Sequence, residues 1–282
     1  MARRACLTTV ACVAFAVLGT GTATAGGHGG KIYFADEGPH LGTSIFSVSP
    51  NGRHRDRLTK AAHIESGSGS PAVSPNGRKI AFERFRFRPG SFDGAIWTMR
   101  ADGSHQKRLT SKHGDANDPS FSPDGRRIVY ERHFDIIVMD ANGGHRKRLT
   151  GGGKAETGPV FSPDGKEIAF ERENEIWQMR SDGTKLRRLS PEGRYPDYSP
   201  DGRWLTFSIT KNGAGSTVWL MRADGSHRRK VGPGQDSVFS ADGKKLAYTG
   251  SGKATTDANV SIMRTNGSHA HHVSSGCCPS WG

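Results

Sequence analysis

The sequence contains few cysteines and few hydrophobic residues. Of its four cysteines, Cys6 and Cys12 lie near the N-terminus, and Cys277 and Cys278 are adjacent near the C-terminus. This number excludes a scaffold of several disulfides, and no second ligand pair lies at the spacing of a zinc finger. Hydrophobic residues make up 33% of the chain, against 38 glycines and 14 prolines. This composition favours short strands joined by tight turns over long helices.

The first 25 residues have the pattern of a secretory signal peptide. Two arginines precede an apolar run and an Ala-Thr-Ala cleavage site that ends at Ala25. We therefore expect residues 1–25 to be removed and residues 26–282 to form one periplasmic or secreted domain. No other stretch is long and apolar enough to cross a bilayer, so no membrane span is predicted in the mature chain.

Cleavage would leave Cys277 and Cys278 as the cysteines of the mature chain. Adjacent cysteines can close on each other as a vicinal disulfide, bridge two chains or remain reduced. The sequence leaves these three states open.

One phrase of the sequence recurs at intervals of about 40 residues. It has the form Pro-x-aromatic/Val-Ser-Pro-Asp/Asn-Gly, and a short apolar run such as Ile168-Ala169-Phe170 follows it. Four copies are complete and the fifth is degenerate: Pro71–Arg78, Pro119–Arg126, Pro159–Lys166, Pro196–Arg203 and Ser237–Lys244.

A second phrase ends in Asp/Asn-Gly or a close variant. Because Gly, Asn and Asp tolerate the positive φ of tight hairpins, both phrases mark turns between strands. One repeat therefore supplies strands A and B around the first turn and strands C and D around the second. Repeats of about 40 residues with four strands each predict the blades of a β-propeller. The second phrase ends at Gly52, Gly103, Gly143, Gly183, Gly225 and Gly267.

The two ends of the chain predict how the ring closes. The chain enters at Lys31-Ile32-Tyr33-Phe34, which resembles a strand B, and Pro279-Ser280-Trp281 resembles a strand A. The C-terminal strand should therefore complete the N-terminal blade, which removes two unpaired sheet edges. The prediction is an all-β, six-bladed β-propeller of four-stranded antiparallel blades. Aromatic residues expected in the core between blades are Phe121, Phe161, Tyr198, Phe239 and Trp281, with Trp97, Trp177 and Trp219.

The segments "FSPDGRRIVY", "FSPDGKEIAF" and "YSPDGRWLTF" resemble the WD-like repeats of the TolB propeller family. The resemblance is to the propeller part of TolB, without the α/β domain that precedes it there. It implies a periplasmic protein that docks partners such as a peptidoglycan-associated lipoprotein. Similar propellers occur in tricorn protease, prolyl-oligopeptidase relatives and oligogalacturonate lyases, so the repeat predicts a fold and not a function.

Loops alternate between the two faces of a propeller. The A–B and C–D turns are near copies of one another and share one face, whereas the B–C and D–A loops differ between blades and share the other. Identical turns are explained by folding, so the variable face is predicted to bind. No nucleophile elbow, His-Glu-x-x-His motif or phosphate-binding loop is present, and no catalytic residue is assigned.

The B–C loop of the second blade is the longest. It reads "ERFRFRPGSFDGA" and alternates phenylalanines with arginines. Such a segment can stack on sugars, bases or a partner's side chains, or it can extend strand B with one face packed. The candidate binding residues of this loop are Arg84, Phe85, Arg86, Phe87 and Arg88.

Carboxylates form a second candidate site, at the mouth of the central channel. A glutamate followed by arginine ends strand B in three blades, at Glu83, Glu131 and Glu171, and acidic residues expected in D–A loops would join them. Calcium could bridge these carboxylates, and paired carboxylates could perform acid–base chemistry. Ion pairs between glutamate and arginine within a blade are the alternative. The D–A residues are Asp118, Glu156 and Asp236, and the candidate binding residues of the mouth are Asp118, Glu131, Arg132, Glu171, Arg172 and Asp236.

Basic residues concentrate in strand D, and the formal net charge is +13. On an exposed edge strand, lysine and arginine discourage edge-to-edge aggregation, and they could also bind a polyanion. A histidine recurs two residues after the second turn glycine, but turns on different blades lie on the order of 20 Å apart and cannot share a metal ion. These histidines are His54, His105, His145, His227 and His269.

The sequence thus predicts a monomeric, non-catalytic binding module that docks a protein or an anionic envelope polymer on its B–C/D–A face. Nucleic acid is a disfavoured partner, and no cofactor is expected unless calcium occupies the channel mouth. The alternative is an enzyme, a lyase or hydrolase that uses Glu131, Arg132, His133 and Glu171 at the mouth. Polyanion binding by the basic rim is a third hypothesis.

Overall fold

The computed structural model describes residues 30–37, 42–61, 66–88, 91–111, 114–211, 215–251 and 258–282. They form six sheets of four antiparallel strands, as the repeats predict. The signal peptide expected at residues 1–25 lies outside the described residues. Within the described part, no helix is long and apolar enough to span a bilayer.

The strands follow one another as the repeats do, in the order A, B, C, D from the channel outward. Blade 2 contains β4 (Ser66–Val73), β5 (Lys79–Arg88), β6 (Ser91–Arg100) and β7 (Lys107–Arg108). Blade 3 contains β8 (Ala116–Phe121), β9 (Arg127–Arg132), β10 (Asp135–Asp140) and β11 (Lys147–Arg148). Blade 4 contains β12 (Glu156–Phe161), β13 (Glu167–Arg172), β14 (Glu175–Arg180) and β15 (Arg187–Ser190).

The remaining blades include the one that closes the ring. Blade 5 contains β16 (Arg194–Tyr198), β17 (Trp204–Lys211), β18 (Gly215–Arg222) and β19 (Arg229–Pro233). Blade 6 contains β20 (Gln235–Phe239), β21 (Lys245–Ser251), β22 (Ala258–Arg264) and β23 (His271–Ser275). Blade 1 takes its strand A from the C-terminus: β24 (Cys277–Trp281) pairs with β1 (Ile32–Glu37), followed by β2 (Thr43–Val48) and β3 (Asp56–Arg57).

The predicted ring closure is confirmed by the pairing of β24 with β1, which we call the seam. Ile32 lies opposite Trp281, and Tyr33 lies opposite Ser280. The six A strands contact one another in turn, β4 to β8 and onward to β24 and back to β4, and so surround a central axis. The seam leaves neither end of the ring with an unpaired inner edge.

The core lies between adjacent blades. Phe161 of β12, for example, is buried against Val129 and Ile136 of the preceding blade and Phe170 of its own. All five predicted strand A aromatics are at most 5% exposed. The tryptophans of strand C are half-buried, and Trp97, Trp177 and Trp219 each pack against one of these interblade clusters.

The Ser-Pro-Asp-Gly turns hold strands A and B together through side-chain hydrogen bonds. In blade 4, Ser162 Oγ donates to Asp164 Oδ1 at 2.6 Å, and the Lys166 amide donates to the same oxygen at 3.1 Å. Gly165 has φ +70°, the left-handed conformation that ends a type I turn with a one-residue bulge. The recurring sequence phrase thus specifies this turn through local hydrogen bonds.

Each A strand carries a bulge near its start, which interrupts its pairing with strand B. At this position every blade has one residue with φ between 47° and 58°. These six residues, which we call the bulge residues, are Ser70, Asp118, Gly158, Tyr195, Asp236 and Cys278. Because a bulge turns a side chain away from the alternating pleat, the bulge determines which side chain of strand A faces the channel.

Candidate functional site

Strand A begins and strand B ends at the same end of the channel, which we call the mouth. Side chains from these two strands meet there in each blade, since the residue before a bulge pairs with the end of strand B. Gly69 thus lies opposite Glu83, Asn117 opposite Glu131 and Thr157 opposite Glu171. Six buried carboxyl groups of the described residues collect at the mouth, and one of them, Glu156, is paired with Arg172. We call the other five the acidic cluster: Glu83, Asp118, Glu131, Glu171 and Asp236.

The predicted position of three carboxylates in D–A loops is wrong. Asp118, Glu156 and Asp236 lie within strands β8, β12 and β20. Asp118 and Asp236 are bulge residues. Their side chains therefore face the channel, although both residues lie within strands. The loop assignment failed because periodicity does not reveal a bulge.

The acidic cluster lies near the axis that the A strands surround, and the electrostatic interactions of its members agree with this position. Burial has the largest effect on the pKa of Glu83 in blade 2, of Glu171 in blade 4 and of Asp236 in blade 6, and the charge of Asp118 in blade 3 raises each of these pKa values further. One carboxyl group can act on three other blades only from a central position, because Coulomb interactions weaken with distance.

Burial raises the pKa values of these carboxyl groups, and three of them come close to neutral pH. It raises the pKa of Asp118, Glu171 and Asp236 to about 7. It also raises the pKa of Glu83 and Glu131 well above their usual range. Burial disfavours the ionised carboxylate form. A positive charge placed beside the cluster would therefore stabilise that form.

Several carboxylate oxygens of the cluster are buried without a hydrogen-bond partner among the described residues. They are Glu83 Oε2, Asp118 Oδ2, Glu131 Oε2 and Asp236 Oδ1. The other oxygens are held in place: Ser70 Oγ donates to Asp118 Oδ1 at 3.1 Å, and the Phe134 amide donates to Glu131 Oε1 at 2.8 Å. A Cβ on Gly69 would lie 2.8 Å from Glu83 Oε1, so glycine there makes room for this carboxyl group. The unpartnered oxygens are potential acceptors for a ligand.

Two arginines accompany the cluster. Arg172 is buried, forms an ion pair with Glu156 of its own blade, and lies over the Trp177 ring. Arg194 of blade 5 lies 3.4 Å from Glu171 and remains partly exposed. The pairing expected between glutamate and arginine within a blade therefore holds for Glu156 and Arg172, whereas Glu171 meets an arginine of the next blade.

The long segment of blade 2 is an extended hairpin, because β5 and β6 pair from Lys79↔Arg100 to Arg88↔Ser91. Arg84 is packed over Trp97 at 4.5 Å and donates to Gln106 Oε1 at 2.7 Å. On the other side of the strand, Phe85 is half-buried and meets Phe87 edge to face at 5.3 Å.

The last residues of β5 whose side chains are described are exposed to solvent. Arg86 is exposed, and Phe87 is 39% exposed. The side chain of Arg88 lies outside the described residues. Of the predicted stacking residues whose side chains are described, Arg86 and Phe87 are therefore exposed, whereas Arg84 is packed against Trp97 of its own blade.

A further exposed aromatic residue, Phe134, was not predicted. It is 49% exposed and forms, with His133, a two-residue B–C turn in which both residues have positive φ. His133 Nδ1 pairs with Asp115 at 3.2 Å, and both side chains are exposed. Arg132 donates to the Gly114 carbonyl at 3.1 Å. The signal for this turn was the gap of two residues between two strand-like runs.

Metal-binding geometry is absent from the described residues, in which no three His, Cys, Asp or Glu side chains come together as a ligand group. The recurring histidines have a backbone explanation. His54, His105, His145, His227 and His269 all have positive φ, between 41° and 58°. Histidine is enriched among the residues that accept this conformation.

The outer rim is basic, as predicted. Strand D exposes Lys107 and Arg108 in blade 2, and Lys147 and Arg148 in blade 3. Several of these cations have partners nearby, such as Arg148 with Asp135 at 2.8 Å. The outer rim is thus positively charged, whereas the mouth carries acidic groups.

Comparison with known proteins agrees with this architecture. Residues 69–195 match the family model of the TolB beta propeller domain. The chain is thus a six-bladed β-propeller whose residues 69–195 resemble the TolB propeller domain. Among solved structures, TolB from Acinetobacter baumannii superposes with a TM-score of 0.77 and 21% identity over 89% of this chain. The chain covers 66% of that protein's length.

Other similar structures have different functions. A chain of a nidogen/laminin complex superposes on this propeller with a TM-score of 0.69 and 15% identity, over 90% of this chain and 98% of that one. An oligogalacturonate lyase in complex with manganese matches with a TM-score of 0.56 and 13% identity, over 83% of this chain and 71% of that one. No curated protein matches the chain. These likenesses establish the fold and leave binding and catalysis as alternatives.

Proposed function

We propose that this TolB-like propeller is an exported, non-catalytic binding protein that docks a protein partner at its mouth. The observation that carries the proposal is the acidic cluster, with its four buried carboxylate oxygens that lack partners among the described residues. A cationic group of a partner, such as a lysine or arginine side chain, would supply the missing donors and offset the burial of negative charge.

The surroundings of the cluster support a protein partner. Phe87 and Phe134 offer exposed aromatic surface on B–C connections, and aromatic residues are enriched in protein interfaces. An anionic envelope polymer would instead be repelled by the cluster and attracted to the rim. The likeness to TolB and to a chain of the nidogen/laminin complex is consistent with protein binding, and the predicted leader and the TolB likeness support a periplasmic location.

The experiment is affinity capture from envelope extract with the mature chain, its Asp118→Asn/Asp236→Asn variant and an Asp164→Asn control. Asn76 occupies the position of Asp164 in the blade 2 turn and makes the same contact with its serine, so the control removes a charge without disturbing the fold. We expect wild type and control to retain the same protein at pH 8 and the double variant to lose at least about tenfold in affinity, the equivalent of about 1.4 kcal/mol.

The outcome that contradicts the proposal is equal retention by the double variant, provided that its urea unfolding shows a folded protein. Phe87→Ala should also weaken capture, whereas Phe239→Leu, a change in the core, should not. Stronger retention at pH 8 than at pH 6 is expected, because ionised carboxylates hold the cation.

Calcium is a second occupant to test, since carboxylates are suitable ligands. The acidic groups do not form a ligand set as they stand, so the proposed function does not depend on this ion. Calcium at about 1 mM, in the range of extracellular sites, would raise the melting temperature of wild type and leave that of the double variant unchanged if it occupies the cluster.

An enzyme is the competing function, because carboxyl groups with a pKa of about 7 are suited to acid–base chemistry. Of the residues expected to act there, Glu131 and Glu171 are buried, whereas His133 is exposed and paired with Asp115. Turnover of an oligosaccharide or peptide library that disappears in Asp118→Asn/Asp236→Asn would favour the enzyme.

A further inference from the structure

The closing strand β24 carries two adjacent cysteines whose side chains point toward each other. Cys278 is buried, Cys277 is half-buried, and their Sγ atoms lie 2.6 Å apart. Consecutive residues of a regular strand point to opposite faces of the sheet. The approach of these two sulfurs therefore needs a local departure from the strand.

The bulge of strand A provides this departure from regular strand geometry. Cys278 is the bulge residue of blade 1, with φ +58°, and its amide donates to Thr249 Oγ1 of the preceding blade at 3.0 Å. The bulge residues of the other five blades have the same sign of φ without a cysteine beside them. The fold itself therefore brings the two thiols together, and the thiols do not cause the bulge.

The surroundings disfavour a lasting thiolate at Cys278. Burial raises the pKa of the Cys278 thiol, and the neighbouring Cys277, Asp236 and Glu83 raise it further. Metal coordination and lasting nucleophilic reactivity both require the thiolate. A disulfide carries no charge and does not ionise, so it is compatible with a buried position beside carboxyl groups.

We propose that Cys277 and Cys278 are a redox modification site, at which a low-molecular-weight disulfide converts the two thiols into a reversible vicinal disulfide. This site goes beyond the proposed function and does not depend on any partner. It would place a covalent link in the strand that closes the ring, next to the acidic cluster.

The exchange follows from the different exposure of the two sulfurs. The half-buried Cys277 loses its proton to solvent and attacks the external disulfide, which forms a mixed disulfide and releases one thiolate. Cys278 then loses its proton, attacks Cys277 Sγ and releases the second thiolate. In total, two electrons and two protons pass from the cysteine pair to the external disulfide, which becomes two thiols.

The test treats the reduced, folded chain with glutathione disulfide, quenches with acid, alkylates in denaturant and analyses the tryptic peptide that follows Arg264. This peptide contains both cysteines and excludes Cys6 and Cys12. We expect a peptide lighter by two hydrogens that takes up no alkylating reagent until it is reduced. Two alkyl groups, retained glutathione or a disulfide between two chains would each overturn the proposal.

Two single variants test the order of the steps. Cys278→Ser should accumulate one glutathione on Cys277, whereas Cys277→Ser should remain unmodified while folded because Cys278 is buried. The converse pattern would overturn the assignment of Cys277 as the first sulfur to react.

The contribution of the fold is tested by equilibrium with glutathione in the folded and the urea-unfolded chain. The equilibrium constant for the internal disulfide should be at least tenfold larger in the folded chain, because the bulge orients the thiols. Equal constants would show that adjacency in sequence alone is responsible, and would overturn the structural argument.

Discussion

At the scale of single residues, the propeller contains two sets of carboxyl groups whose pKa values are shifted in opposite directions. In the A–B turns, a hydrogen bond from the serine hydroxyl lowers the pKa of Asp124, Asp164 and Asp242. At the mouth, burial raises the pKa of the acidic cluster. Carboxyl groups thus stabilise turns on one face of the propeller, whereas on the other face they are buried with raised pKa values.

The acidic cluster should make stability fall as pH rises. Between about pH 4, where unfolded carboxyl groups ionise, and pH 7, where Asp118, Glu171 and Asp236 ionise in the folded protein, the folded state holds protons that the unfolded chain has released. The free energy of unfolding therefore declines across this range and levels off above it. Asp118→Asn should reduce the decline, because one such group is removed, and asparagine tolerates the positive φ at this position.

The measurement is the urea midpoint at pH 5 and pH 8. Asp164→Asn is the control: the lowered pKa of Asp164 contributes stability that is lost only as pH falls through the acidic range, so this variant should keep the wild-type decline. An Asp118→Asn variant with the wild-type decline would contradict the assignment.

At the scale of elements, each blade is specified by local hydrogen bonds of its turns. The serine hydroxyl to aspartate oxygen distance is 2.6 Å in the turns of Asp124, Asp164, Asp201 and Asp242. The strands are short, and strand D has as few as two residues, so a blade depends on its turns and on its neighbours more than on its own sheet.

Asp124→Ala and Asp164→Ala should therefore destabilise the protein by similar amounts, about 1 kcal/mol each, the usual net value of an exposed turn's hydrogen bonds. Urea unfolding of both variants measures this. Similar losses would show that the blades are equivalent at their turns; a difference above about 1 kcal/mol would mean that one turn has a role other than folding.

At the scale of the whole molecule, stability depends on ring closure. Trp281 is 5% exposed, and it belongs to a cluster with Ile32 and Phe34 of β1 and Val238 of blade 6. Through this one aromatic side chain, the seam therefore joins the last strand, the first strand and the sixth blade of the ring.

Trp281→Ala should lower the free energy of unfolding by about 3–5 kcal/mol, the usual loss for a large buried aromatic residue. Phe161→Ala, at the equivalent place in an uninterrupted blade, provides the comparison. Removal of residues 277–282 should abolish the single cooperative transition, since it exposes the inner edge of β1. An unchanged urea midpoint in the shortened chain would show that the ring does not need its seam.

Much of the fold could be read from the repeats. The spacing of Asp/Asn-Gly turns was sufficient to predict the number of blades, and the incomplete repeats at Lys31 and Trp281 predicted the seam, because turn chemistry and strand pairing are local or nearly local. The aromatic residues before Ser-Pro were correctly placed in the core, since equivalent positions of every blade are bulky.

The site depended on information that no local pattern carries. The bulge residues are Ser, Asp, Gly, Tyr, Asp and Cys, with no residue type common to all six, so the repeat pattern did not reveal their common conformation. Burial and Coulomb interaction depend on the closed ring, which brings Asp118 near carboxyl groups of other blades. The bulge at Cys278 brings the sulfurs of Cys277 and Cys278 together. The blades were specified by the sequence repeat, whereas the acidic mouth arises because six of them converge on one axis.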